Sequence, residues 1–193
     1  MRMKIVLGIV LSAMLIAGMG GTALAADKFK IDPSHTSATF RVLHQGYSYV
    51  AGRFNEIAGD VVFDENDYLK SQVNIVIKTE SVDTNHKKRD DHLRSPDFFN
   101  AKEFPEMTFK STGVEQTGDK AGKLMGDLTL LGVTKPVTLE VVFNRIAPNR
   151  KNIVIAGFSA KGSIKRTDFG MTYGLQGIGD EIDIHIEAEA HKQ

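Results

Sequence analysis

The chain contains no cysteine. That removes disulfides, thiolate nucleophiles and thiolate metal sites, so stability has to come from apolar burial and the sheet ladder. An excess of one charge is missing too, since 24 basic residues face 24 acidic ones. Setting aside Arg2 and Lys4 leaves 22 basic residues against 24 acidic, a net charge of −2. Such a balance gives no electrostatic case for nucleic acid or for an anionic membrane surface. Enzyme signatures are absent: there is no Gly-x-Ser-x-Gly elbow, no phosphate-cradling glycine loop and no His-Glu-x-x-His. Asp168-Phe169-Gly170 matches the magnesium motif of kinases in letters only, because the other kinase elements are missing. No internal repeat, low-complexity tract or linker divides the chain.

One long apolar run occurs, at the start. Arg2 and Lys4 precede the uncharged stretch Ile5 to Met19, Gly20-Gly21-Thr22 breaks it, and Ala23-Leu24-Ala25 fits the small-x-small cleavage pattern. The run is shorter than the roughly 20 apolar residues of a membrane span. Residues 1–25 therefore read as a signal peptide, and no Cys follows to carry a lipoprotein anchor. The expected mature chain is Ala26 to Gln193, one exported domain, and an exported chain without cysteine points to the bacterial periplasm.

What remains is strand after strand. Ala38, Phe40 and Val42 alternate with Thr39 and Arg41; Val73, Ile75 and Ile77 form an apolar face; Met107 and Phe109 alternate with Thr108 and Lys110. Gly126, Leu128 and Leu130 oppose Asp127 and Thr129, and Leu139, Val141 and Phe143 oppose Thr138, Glu140 and Asn144. Ile182, Ile184 and Ile186 finish the series. Another strand is expected within Phe54 to Phe63, with a bulge or bend at Gly59. Gly132 to Pro136 reads as a tight connection and Arg166 to Gly179 as irregular. About eight strands joined mostly by short turns favour antiparallel pairing. A sheet with one apolar face must bury it, by closing into a barrel or by packing as a sandwich.

The exception is Thr79 to Asn100, polar and dense in charge. Ser81 or Asp83 offers a cap, Thr84 to Arg94 lacks Gly and Pro, and Ser95-Pro96 ends the run, so a short helix and loop are expected. His86 and His92 lie six apart, which is not a same-face spacing, so the segment reads as a solvated charged helix rather than a metal site, a plug or rim that Leu93 and the pair Phe98-Phe99 dock on the barrel. His185 sits on a polar strand face, and His44 reads as a buried, hydrogen-bonded residue. Small inward residues (Ala38, Gly126, Gly157, Gly162) either leave room inside a barrel or mark bends and tight packing.

Several stretches carry a resemblance. Ser81-Val82-Asp83-Thr84-Asn85-His86, Arg89-Asp90-x-His92-Leu93-Arg94-Ser95-x-Asp97-Phe98, Phe104-Pro105-x-Met107-Thr108-Phe109 and Gly126-Asp127-Leu128-Thr129-Leu130-x-Gly132-Val133-Thr134-Lys135-Pro136-Val137 resemble the signature of the YceI-like family. His44-x-Gly46-Tyr47-Ser48, Gly52-x-Phe54 and Lys165-Arg166-Thr167-Asp168-Phe169-Gly170 agree, and the likeness spans Asp27 to Glu189. It implies an all-β, lipocalin-like, antiparallel up-and-down barrel of about eight strands with one short helical insertion, exported to the periplasm. It also implies a bound polyisoprenoid or isoprenoid-quinone-like lipid and no other cofactor.

The expected function is a carrier, not an enzyme, with Phe40, Val42, Val61, Phe63, Ile75, Ile77, Phe109, Leu128, Leu130, Leu139, Val141 and Ile184 against the ligand. Burying one CH₂ gains roughly 0.8 kcal/mol, so a long tail needs no polar anchor. No catalytic or metal residue is expected, and a homodimer is left open. The alternatives are an enzyme acting on such a lipid through Arg89, Asp90 or His92, and a stress-response protein of unassigned ligand.

Overall fold

The computed structural model describes residues 26–193, so the signal-peptide reading lies outside the described residues. Eleven strands form one antiparallel sheet. They are β1 (Asp27–Ile31), β2 (Ser37–His44), β3 (Ser48–Phe54), β4 (Ile57–Phe63), β5 (Gln72–Lys78), β6 (Val82–Asp83), β7 (Glu106–Gln116), β8 (Ala121–Leu130), β9 (Val133–Pro148), β10 (Val154–Lys165) and β11 (Ile178–Lys192). One helix, α1 (Lys87–Leu93), lies between β6 and β7.

Six of the strands are halves of three longer ones. β1 and β2 lie along the same edge of β11, with Ile31 opposite Ala190 and Ser37 opposite Glu187. β4 and β3 pair with them in turn, and β5 and β6 with those. Counted this way the sheet has eight strands, each beside its neighbour in sequence, and β11 closes it onto β1. This is an up-and-down barrel, the closed solution to the apolar face read from the sequence, and it leaves no sandwich.

The three interruptions lie side by side, and their backbone groups are satisfied across the break. Asp32 donates its N–H to Glu189 O at 2.9 Å, Asn55 to Ser81 O at 3.1 Å, and Glu56 to Ser81 Oγ at 3.0 Å. The chain therefore bends at Asn55-Glu56 and not at Gly59. Gly59 stays in register opposite Ile75, and a Cβ there would lie 2.3 Å from Asn74 O. Its glycine answers to a close backbone approach.

Two further expectations are corrected. Ser48–Phe54 is a full strand, unmarked in the sequence because Tyr49 faces outward and Gly52 sits inward under the Phe40 ring. The β8–β9 connection is only Leu131 and Gly132, both left-handed at φ 53° and 73°, as a two-residue hairpin requires. Val133 to Pro136 already belongs to β9.

Candidate functional site

In a closed sheet every second residue points inward. Two packed clusters fill the ends of this interior. At the α1 end Phe54, Val82, Phe98, Phe99, Leu130 and Phe169 pack together with Val137, Leu139 and Met171. At the opposite end Phe29, Ile31, Val61 and Phe63 pack with Ala156 and Ala190, and the Phe63 ring centroid lies 4.9 Å from that of Phe143 and 5.1 Å from that of Phe158. The inner face also lines a cavity of about 570 Å³, within the roughly 300–1,000 Å³ of small-molecule sites.

All twelve residues singled out from the sequence line this cavity: Phe40 and Val42 from β2, Val61 and Phe63 from β4, Ile75 and Ile77 from β5, Phe109 from β7, Leu128 and Leu130 from β8, Leu139 and Val141 from β9, and Ile184 from β11. Val61, Phe63, Leu130 and Leu139 are buried, while the other eight are half-buried. Inward aliphatics left half-buried by their own barrel are what an interior void produces.

The glycines do not create that void. A Cβ on Gly126 would lie 2.3 Å from Phe109 Cζ, and one on Gly162 would lie 2.7 Å from Leu139 Cδ2. Of the two meanings left open for the small residues, tight packing holds at these positions.

Periodicity missed other lining residues. Phe158, Ala160 and Ile164 of β10 line the cavity, but the register between β9 and β10 slips beside Gly157 and hides their phase. Leu93, Phe98, Phe99, Met171 and Tyr173 come from loops and α1, where no strand period exists. The polar lining residues Thr84, Arg89, His92 and Arg166 belong to the same end.

That end is built by α1 and the 166–177 loop. His86 caps α1, its Nδ1 accepting from Arg89 N at 3.2 Å, so the cap lies three to five residues beyond the expected Asp83 or Ser81. The helix is not simply solvated. Asp90 is buried, its Oδ1 accepting from both the N–H and the hydroxyl of Thr84. Arg89 donates from Nε to Thr84 Oγ1 at 2.7 Å and from Nη2 to Thr84 O at 2.8 Å. Arg94 donates to Glu80 O and Val82 O and ties the helix to the β5–β6 break. His92 Nε2 lies 2.8 Å from Asp97 Oδ2, and its ring meets Phe98 and Tyr173 edge-on at 5.0 and 5.1 Å.

Arg166 opens the 166–177 loop and is only 2% exposed. Its guanidinium holds that loop by donating to the carbonyls of Gly179, Met171, Tyr173 and Ile178 at 2.8–3.0 Å. Burial pushes its pKa down and the charge of Asp180 pushes it up. Asp180 itself accepts from Thr167 N and Oγ1, both at 3.0 Å. No local pattern marks a buried cation in a glycine-rich loop.

Of the remaining histidines, His44 lines the cavity from the end of β2, whereas His35, His185 and His191 do not. His185 is exposed, as its polar strand face implied, and His44 is exposed rather than buried. At the β1–β2 break Asp32 accepts from Ser34 N at 2.9 Å and lies 2.7 Å from His35 Nδ1 and 3.3 Å from His191 Nε2. Hydrogen bonds from His35 and Ser34 hold the Asp32 carboxyl well below its usual range, and Asp32 pushes His35 up.

The YceI-like domain family matches residues 29–190. The chain belongs to the YceI-like family. It is 42% identical over 192 residues to Protein YceI of Escherichia coli O157:H7, covering 98% of both chains. A crystal structure of the Campylobacter jejuni YCEI protein superposes with a TM-score of 0.70 at 34% identity, covering 76% of this chain and 86% of that one. A polyisoprenoid binding domain from Saccharophagus degradans superposes with a TM-score of 0.70 at 13% identity, over 87% of this chain and 99% of that domain. At that identity the last likeness speaks for the fold alone. The chain is a barrel protein of this family, and no helix among the described residues is long and apolar enough to cross a membrane.

Proposed function

We propose that this protein is a periplasmic carrier that holds a polyisoprenoid or similar long amphiphilic lipid inside the barrel. The observation that carries the reading is the cavity of about 570 Å³, bounded by aliphatic and aromatic side chains from every part of the sheet. An apolar surface of that kind repays a hydrocarbon tail at about 25 cal/mol per Å² removed from water. The Saccharophagus degradans domain, named for polyisoprenoid binding, shares the fold. The twelve strand residues form the tail site in this reading, and residues 1–25 direct export.

The enzyme reading loses one of its three candidate residues. Asp90 is buried beneath Thr84 and does not line the cavity, so it has no access to a substrate there. Arg89 and His92 remain at the cavity as binding groups.

Titration of the delipidated mature protein with geranylgeraniol, followed by calorimetry, tests the carrier reading. Saturable one-to-one binding is expected. Absence of binding to this and to longer prenyl lipids would refute it.

A further inference from the structure

Away from the cavity, four side chains able to ligate a metal meet where the β1–β2 break crosses β11. Glu189 and His191 are two apart on β11 and so share a face. It is the outer face, because Ala190 between them is buried. Asp32 and His35 come from the break itself. The chain folds over Glu189 there: Asp32 N donates to Glu189 O at 2.9 Å, and Thr36 Oγ1 lies 3.3 Å from both Glu189 O and Glu189 N. None of the four residues lines the cavity. No sequence motif joins them, since two stand near the start of the described chain and two near its end.

Their ligand atoms are close together. One such atom each from Asp32, His35 and Glu189 lies within 4.8 Å of the others, and no other group of His, Asp or Glu among the described residues does the same. Asp32 Oδ2 lies 2.7 Å from His35 Nδ1 and 3.3 Å from His191 Nε2. Zinc bound tetrahedrally by imidazole nitrogens and carboxylate oxygens, at about 2.0–2.2 Å, holds neighbouring ligand atoms about 3.3 Å apart. The two Asp32 contacts are already near that spacing. His35 is exposed and Glu189 half-buried, so rotation of their side chains covers the rest.

Asp32 is oriented in advance. Its Oδ1 accepts from Ser34 N at 2.9 Å and from Ser34 Oγ at 2.6 Å, which leaves Oδ2 towards the histidines. Partners of this kind fix the direction of a metal ligand. Two carboxylates match the charge of a divalent cation. Two imidazoles favour zinc and its transition-metal neighbours over magnesium or calcium, which take oxygen ligands. Lys30, opposite His191 in the ladder, turns its ammonium to Asp60 at 3.1 Å and leaves the cluster its negative charge.

We infer that Asp32, His35, Glu189 and His191 bind one divalent transition-metal ion, zinc in the first instance, on the outer face of the barrel. The ion clips the β1–β2 break to the last strand, beside the β1–β11 pairing that closes the sheet. The site is separate from the cavity and does not depend on the carrier reading.

The test is calorimetric titration of untagged mature protein, stripped with EDTA, with zinc chloride in a non-chelating buffer. Saturable one-to-one binding is expected. Saturating zinc should also raise the melting temperature, because the site exists only in the folded chain. Loss of an outer-shell partner costs a metal site about 10- to 100-fold in affinity, so His35→Ala should weaken binding at least about tenfold and remove the temperature shift. Glu189→Gln keeps the shape of its side chain and should do the same, so the result does not hang on the folding of one variant. His185→Ala removes an imidazole from the same outer face of β11 and should change nothing. No saturable binding, or unchanged affinity in His35→Ala, would overturn the site. An equal loss in His185→Ala would make the binding a general property of surface histidines and overturn it too. Magnesium should not displace the zinc; if it does so at equal concentration, the cluster is only an acidic surface and the inference fails.

Discussion

Replacing Leu128 by tryptophan separates a cavity from a solid core at one position. Leu128 is half-buried on β8, lies opposite Phe109 on β7, and lines the void. Two residues on, Leu130 faces the same way and also touches the void, but it is only 4% exposed and most of its side chain belongs to the packed cluster at the α1 end. In a filled core, added side-chain volume costs typically about 1–3 kcal/mol. At Leu128 the added ring has about 570 Å³ beside it, so Leu128→Trp should change stability by less than about 1 kcal/mol, whereas Leu130→Trp should lose about 1–3 kcal/mol. Both are read from urea unfolding midpoints at constant m-value. Delipidated protein is required, because a bound ligand adds stability by mass action. The chain has no native tryptophan, so the introduced indole also reports by fluorescence. In Leu128→Trp its emission should be that of an apolar site, and prenyl-lipid binding should be lost. A Leu128→Trp variant destabilised as much as Leu130→Trp would refute a void at this level. A stable one that still bound lipid at full affinity would place the tail elsewhere in the barrel.

Asp90→Ala should cost about 1–3 kcal/mol by chemical denaturation, because it strands the buried Thr84 N–H and hydroxyl. Hydrogen exchange should show that loss concentrated in α1 and the 84–86 turn; an unchanged midpoint would contradict the buried role. Asp32 has its folded pKa depressed below the ordinary 3.8 by His35 and Ser34, so its contribution is present above that value and lost as pH falls towards the folded one. Asp32→Asn should therefore flatten the rise in melting temperature between acid and mildly acidic pH. A wild-type slope in that variant would count against the pairing.

The sequence and the structure agree where a strand alternates cleanly. Leu128 and Leu130 on β8, Leu139 and Val141 on β9, and Ile184 on β11 declare their inward side by period alone, and all of them line the cavity. Closure into eight strands followed because short turns force neighbours in sequence to be neighbours in the sheet. Period fails where a second demand overrides it. In β3 the Phe40 ring occupies the space inward of Gly52, so a glycine interrupts the inward row between Val50 and Phe54. At Gly157 a register slip shifts the phase of β10. Buried polar groups left no trace at all. Asp90 and Arg166 are buried because Thr84 and four backbone carbonyls satisfy them, and no local pattern encodes partners that meet only in the fold. In the charged segment Thr79 to Asn100 only the apolar Leu93, Phe98 and Phe99 announce the side that meets the barrel.

The claim at the centre of this account is that the barrel carries lipid. Mass spectrometry of an organic extract of the protein, purified from its native host, addresses it directly. The account predicts a polyisoprenoid or similar long amphiphilic lipid at close to one molecule per chain. An extract with no amphiphile, from protein that also fails to take up prenyl lipids in vitro, would contradict it.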